Sequence, residues 1–348
     1  MEQTSLPNQS GEVNQTDLRD VPLEAAFGIG TDNLITLLIF GLIFGLGVLG
    51  NSMVITVLAR NRPGKPRSTT NIFILNLSIA DLSYLVSCVP FQSTVYMLPT
   101  WVLGALICKF IHYFFTVSML VSIFTLSVMS VDRYVAIVHS RRSSSIRLSR
   151  HALLGVLSIW LLSLAMAAPV AYHQNIVHRG EEGTFCWEVW PDHRRKKLYV
   201  VCTFVFGYLL PLLLISFCYA RVLNHLRKKL RGISKKSEAS KRKTAQTVLV
   251  VVVVFCLSWL PHHIVHLWVE FGTFPLNQAS FVFRVVAHCL AYSNSSINPI
   301  IYAFLSENFR KAYTQVFSCQ FTSSTSLKNT KEVRSRTGTP PSTNCTSI

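Results

Sequence analysis

Asp81 is the one acid set deep inside a long apolar stretch, in Leu77-Ser-Ile-Ala-Asp81-Leu. A carboxylate in such surroundings is costly unless it is neutralised or hydrogen-bonded. Ser122 from a second apolar stretch could meet it. So could Asn294, Ser295 and Asn298 from a third, where spacings of three and four share one helix face. Two chemistries fit these residues: an oxygen-lined site for a cation, or a hydrogen-bonded acid that joins helices. A second cluster is Asp132-Arg133-Tyr134, at the far end of another apolar stretch. Arg133 there is either a base reaching for the membrane surface or a switch, held by Asp132 in one state and released to a partner in another. A third is a stripe. Trp259, His263, His266 and Glu270 are spaced i, i+4, i+7, i+11, so one helix face carries them all. Two His and a Glu do not belong against lipid, so that face points inward. Phe115 and Phe281 could add aromatic surface to a pocket there. Glu270 would then take a ligand's amine, or else pair with His266 one turn below.

The elements that must position these residues follow from hydropathy. Half the chain is hydrophobic and only 14% is charged, too little charge for a soluble domain of 348 residues. Crossing a bilayer takes about 20 apolar residues. Seven stretches qualify: Leu34–Ala59, Thr70–Met97, Cys108–Val138, His151–Ala171, Leu198–Leu223, Thr244–Phe271 and Ser280–Ala303. The reading is an all-α membrane protein, a seven-helix bundle over residues 34–303. The stretches do not repeat, which argues against a transporter built from inverted repeats. The first residues lack a charged start followed by an apolar core, so no cleaved signal peptide is expected.

Charge sets the orientation. Residues 1–33 hold six acids and one Arg. The connection Arg60–Arg67 holds Arg60, Arg62, Lys65 and Arg67 with no acid, and Ser140–Arg150 and Asn224–Lys243 are also basic. The positive-inside rule puts these three connections in the cytoplasm and the N-terminus outside. The net charge of +17 is largely this asymmetry, so it calls for a membrane surface or acidic protein partner and no nucleic acid. Asn8 and Asn14 then lie in extracellular glycosylation sequons. Cys108 and Cys186 both face the oxidising side, so they are expected to form a disulfide.

Pro261 and Pro299 each interrupt a helix, freeing a carbonyl for a polar neighbour. Beyond the seventh stretch, Phe309, Ala312, Tyr313, Val316 and Phe317 recur with helical spacing. That reads as an amphipathic helix over 304–319 on the inner leaflet, with Cys319 open to palmitoylation. The Ser/Thr-rich tail, 320–348, reads as disordered and open to phosphorylation.

Gly50-Asn51, Asp81, Cys108 with Cys186, Asp132-Arg133-Tyr134, Trp160, Pro211 with Tyr219, Trp259-Leu-Pro261 and Asn298-Pro299-x-x-Tyr302 occur in order, spread along the stretches. Together they resemble the rhodopsin-like G-protein-coupled receptors over residues 34–319. Ser258 departs from the Cys that many members carry before the Trp. The resemblance implies a plasma-membrane receptor with a sodium ion at Asp81, Ser122, Asn294, Ser295 and Asn298. It also implies an activation switch of Asp132, Arg133, Tyr134, Tyr219, Trp259, Pro261, Asn298, Pro299 and Tyr302. Receptor kinases and arrestin would act on the tail.

Longer stretches narrow the resemblance to the galanin receptor family. Among them are Pro63-Gly-Lys-Pro-Arg-Ser-Thr-Thr-Asn71, Lys109-Phe-Ile-His-Tyr-Phe-Phe115 and Ala287-His-Cys-Leu-Ala-Tyr-Ser-Asn294. This implies galanin as ligand, with Phe115, His263, His266, Glu270 and Phe281 at its site, and inhibitory Gi/o proteins lowering cyclic AMP. The residues agree in part. Amine receptors of the family carry an Asp where Phe115 stands, and no Lys in the seventh stretch could hold retinal. A different neuropeptide is the alternative. An enzyme is disfavoured: His262, His263 and His266 lack an H-E-x-x-H pattern, and there is no Gly-x-Ser-x-Gly elbow.

Overall fold

The computed structural model describes residues 31–59, 68–98, 100–140, 143–178, 183–229, 235–275, 277–305, 310 and 314. Each apolar stretch is helical. They are α1 (Thr31–Ala59), α2 (Thr69–Ser87, continued as Val89–Met97), α3 (Gly104–Val138) and α4 (Ser149–His173). Then follow α5 (His193–Phe204, a π turn Val205–Leu209, and Leu210–Lys229), α6 (Lys235–Phe271) and α7 (Gln278–Leu305). α2 breaks at Cys88 because Pro90, just beyond, has no N–H to continue the ladder. Pro211 likewise cannot donate to the carbonyl of Gly207, and the turn before it widens to π spacing.

Six of these helices are long and apolar enough to cross a membrane. α7 carries its polar residues inward instead: Asn294, Ser295, Ser296 and Asn298 are all buried. α3 is the axis and packs against α2, α4, α5 and α6. Its Val117, Leu120, Ile123 and Leu126 are sealed in the core. The outward faces are apolar, as with Leu38, Leu42 and Leu49 on α1 and Leu153, Leu154 and Leu157 on α4. In water that surface would aggregate; in a bilayer it is the lipid face.

α1 and α7 meet closely because small residues allow it. A Cβ on Gly50 would lie 2.8 Å from Pro299 Cβ. The side-chain amide of Asn51 donates to Ser295 O at 2.8 Å, the carbonyl that Pro299 leaves without its helical donor. The expectation of a freed carbonyl and a polar neighbour holds there. In α6 the carbonyl of Cys256, next to the one Pro261 frees, accepts from Tyr208 Oη at 2.8 Å.

Hydropathy misplaces the helix ends in a consistent way. α5 starts at His193 rather than Leu198, where Asp192 Oδ1 accepts from Arg194 N at 2.9 Å and caps it. α6 starts at Lys235 rather than Thr244, inside the basic run. Hydropathy marks where lipid ends, and a helix can continue into water on charged residues. Between α4 and α5 lies a hairpin of β1 (Gln174–His178) and β2 (Thr184–Glu188), antiparallel with Ile176 opposite Cys186, which hydropathy did not indicate. Of the amphipathic segment 304–319, Arg310 and Thr314 are helical, joined by a 3.0 Å bond from Thr314 Oγ1 to Arg310 O. Asn8, Asn14, Cys319 and the tail 320–348 lie outside the described residues.

Candidate functional site

Three polar clusters lie along the bundle axis. At one end, Cys108 of α3 is disulfide-bonded to Cys186 of β2, with Cα atoms 5.7 Å apart. Gly104 begins α3 with φ of 76°, a conformation that favours glycine, and its carbonyl accepts from Trp101 Nε1 at 2.9 Å. Trp101 N in turn donates to Thr184 O of the hairpin at 2.6 Å. The hairpin is thus tied to α3 by a covalent bond and to the loop before it by a backbone bond.

Beneath it lies an aromatic box. Phe115 has Trp259 at 5.3 Å, His262 at 5.2 Å, Tyr292 at 5.6 Å and Tyr84 at 6.0 Å between ring centroids. His262 also meets His266 at 4.4 Å and His288 at 5.6 Å. His112 of α3 is within electrostatic reach of His266 and His288. His266 keeps more than a third of its surface accessible.

The α6 stripe does face inward: Trp259, His263 and Glu270 are all buried. Its members part company, however. His263 packs sideways on Tyr208 and Phe204 of α5, at 4.6 and 5.6 Å, rather than into the box. Phe281, 50% exposed at the start of α7, is not among the rings of the box. His262, His288, Tyr292 and Tyr84 take the central places, and the stripe had passed them over. His288 and Tyr292 did carry a signal, an i, i+4 pair on α7.

Glu270 sits at the rim, 6% exposed. The pairing with His266 is replaced by another: Lys196 Nζ lies 3.3 Å from Oε2 and His193 Nδ1 3.2 Å from Oε1, both from α5. The Oε1 contact is close in distance but lacks hydrogen-bond geometry. Lys196 also reaches Glu188 of the hairpin at 3.8 Å, whose Oε1 accepts from Trp190 Nε1 at 2.6 Å. The start of α5 folds over α6 and brings these bases there, which spacing within α6 could not reveal.

Midway along the bundle, Asp81 is fully buried and accepts from Asn298 Nδ2 at 2.9 Å. Ser295 is close enough to interact with the carboxylate. Ser122 and Asn294 are buried as well. Asp81 Oδ1, Asn294 Oδ1 and Asn298 Oδ1 are buried without a hydrogen bond of good geometry. Buried oxygens left over in this way suit a hard monovalent cation, and the residues present fit the sodium site implied by the resemblance.

At the far end Asp132 is held from several sides. Arg133 donates to Oδ2 at 2.5 Å, Thr70 to Oδ2 at 3.1 Å and Thr69 to Oδ1 at 2.7 Å. Arg147, from the segment before α4, donates to Oδ1 through Nε at 2.7 Å and to Oδ2 at 3.2 Å. Arg133 also donates to Thr70. Tyr134 Oη lies 3.0 Å from His139 Nε2, and Tyr219 Oη is near Ser130 and Arg133. Trp259, Tyr219 and Tyr302 are buried in one core cluster. Sequence reasoning passes over Arg147 because a base in a connection expected to be cytoplasmic already has an explanation in membrane topology.

The chain matches the family described as 7 transmembrane receptor (rhodopsin family) over residues 50–302. It is 77% identical to human galanin receptor type 1 over 323 residues, covering 92% of this chain and 93% of that one. The mouse galanin receptor type 1 is 76% identical over 322 residues, 92% of each. Zebrafish (Danio rerio) galanin receptor 2b is 42% identical over 296 residues, covering 84% of this chain and 78% of that one.

Proposed function

We propose, for a chain that belongs to the rhodopsin family of seven-transmembrane receptors and is therefore a receptor rather than an enzyme, that it binds a galanin peptide and signals through inhibitory Gi/o proteins. The observation that supports this most strongly is the high identity to galanin receptor type 1 across nearly all of the chain. The chain sits in the plasma membrane with residues 1–33 and the hairpin outside. Asn8 and Asn14 carry glycans there. The peptide lies across the mouth framed by the hairpin and Glu270, above the box of Phe115, His262 and His266. His263 and Phe281 act at the edges of that site.

Inside, the basic connections meet the G protein. Asp132 holds Arg133 in the resting packing. Peptide binding shifts the population toward a state in which α6 swings outward below Pro261 and Arg133 turns to the partner. Tyr219 and Tyr302, near the same end, stabilise the released Arg133. Asp81, Ser122, Asn294, Ser295 and Asn298 would hold a sodium ion, which supplies positive charge to Asp81 and favours the resting packing. Cys319 anchors the amphipathic helix by palmitate, and the tail, once phosphorylated by receptor kinases, recruits arrestin.

The test is cyclic AMP in cells expressing the chain, challenged with galanin and with unrelated neuropeptides. Galanin alone should lower it, and pertussis toxin should abolish the response. A response to another neuropeptide and none to galanin would replace the ligand. Nucleotide exchange on purified Gi, with and without peptide, tests the coupling directly.

A further inference from the structure

Two guanidinium groups share the one carboxylate of Asp132, and they come from different elements. Arg133 follows it on α3. Arg147 reaches in from the segment between the short helix Ser143–Ile146 and α4. Arg147 makes the fuller contact, with Nε at 2.7 Å from Oδ1 and a second nitrogen at 3.2 Å from Oδ2. Arg133 reaches only Oδ2. Both arginines also converge on the hydroxyl of Thr70, Arg147 at 3.4 Å. Asp132 is 8% exposed.

We infer that Arg147 is a positioning residue for activation: it keeps Asp132 paired when Arg133 leaves, and so lowers the barrier to releasing Arg133. This rests on the reading of Arg133 as the switch. The reasoning is electrostatic. A buried carboxylate stripped of its only cation is strongly unfavourable. With Arg147 in place, Asp132 retains a bidentate partner and the hydroxyls of Thr69 and Thr70 after Arg133 has gone. Arg147 also repels Arg133 across the shared carboxylate, weakening the pair in the resting state. Both effects act in the same direction. Without Arg147, the carboxylate would hold Arg133 more tightly and lose more on letting it go. Arg147 is thus a second cation that sets how readily the first is released.

The experiment measures galanin-stimulated nucleotide exchange on purified Gi by the full-length receptor, normalised to receptor number by peptide binding. Four variants are compared with the starting chain: Arg147→Gln, Arg147→Lys, Asp132→Asn and the double variant Arg147→Gln with Asp132→Asn. Arg147→Gln should raise the galanin concentration needed for half-maximal exchange on the order of tenfold, the size of one charge-assisted hydrogen bond. Arg147→Lys should recover part of that, since charge is kept and the fork is lost. In the Asp132→Asn background, Arg147→Gln should change nothing further, because there is no carboxylate left to hold. Normal potency of Arg147→Gln would overturn the inference. So would an equal loss in both backgrounds, which would mean that Arg147 touches the G protein itself. Arg133→Ala serves as the control. Full exchange by that variant removes the switch reading, whereas its silence beside an indifferent Arg147→Gln removes only the role of Arg147.

Discussion

Glu270 and Asp132 are both buried carboxylates at helix ends, and they are held in opposite ways. Asp132 accepts from two arginines and two hydroxyls, five hydrogen bonds of 2.5 to 3.2 Å. Glu270 has two bases at 3.2 and 3.3 Å, one of them a His whose side chain is 68% exposed and the other a Lys shared with Glu188. Arginine forks are pre-organised for carboxylates, while a lysine ammonium is a mobile point charge. Asp132 is therefore saturated, and it keeps Arg147 and both hydroxyls as partners when Arg133 leaves. Glu270 is loosely held and can exchange its cation for another that arrives from solution. On the proposed function, one end keeps its carboxylate paired throughout and the other is free to trade contacts with a ligand.

The largest test of that contrast is at the tight end. Arg133→Ala should lose essentially all nucleotide exchange while keeping peptide binding, because Arg133 and the proposed peptide site lie at opposite ends of the bundle. Radioligand binding and exchange in the same membranes check this. Full exchange would erase the distinction between the ends.

The loose end depends on the hairpin that supplies Glu188. α3 and α4 are already packed, so the disulfide constrains mainly the segment between His173 and His193. Closing a loop of that size removes roughly 3 kcal/mol of chain entropy from the free segment. Cys108→Ala or Cys186→Ala should therefore cost about 100-fold in peptide affinity if the hairpin frames the mouth. Surface expression should fall as well. Both single variants binding normally would mean that the hairpin takes no part.

Asp81 lies between the ends and should connect them. It accepts from Asn298 of α7, the same helix that reaches from the box to Tyr302. Sodium at constant ionic strength should lower galanin affinity about five- to tenfold in the starting chain, a usual coupling size. Asp81→Asn should remove that effect. If it persists, the cation sits elsewhere and the two ends are coupled by other means.

The sequence discloses what lies along one helix and conceals what lies between helices. The seven spans, the disulfide and the Asp132-Arg133 pair follow from hydropathy, topology and adjacency. Asn51 on the Ser295 carbonyl was half visible: Pro299 announced a free carbonyl but not which side chain would take it. Arg147 was hidden because it belongs to a basic run whose charge membrane topology already explains, and Lys196 and His193 because they reach Glu270 from a different helix, which spacing along α6 cannot disclose. The stripe on α6 found the inward face yet placed its centre one residue off. His262 faces Phe115, and His263 turns to α5. A helical face is about 100° wide, so spacing alone cannot say which of two adjacent histidines points at the axis.

The smallest expected effect is the most informative about the loose end. Glu270 already has Lys196 and His193, so on the proposed function a peptide's terminal amine must displace them rather than fill a vacancy. The net gain is the difference between two similar ion pairs, one of them partly in water, and such differences are small. Glu270→Gln should weaken native galanin roughly three- to fivefold, within the range of a partly exposed pair. It should leave a galanin with an acetylated terminal amine unaffected, since that peptide never made the contact. Lys196→Gln sharpens the test in the opposite direction. With its competitor gone, Glu270 is freer, and native galanin should bind somewhat more tightly while the acetylated peptide does not. Competition binding with the two peptides on the three receptors gives all six affinities. If Glu270→Gln weakens both peptides equally, Glu270 acts by holding the start of α5 against α6. The carboxylate at the mouth would then hold its partners as fixedly as Asp132 holds Arg147, and the contrast between the two ends would fall.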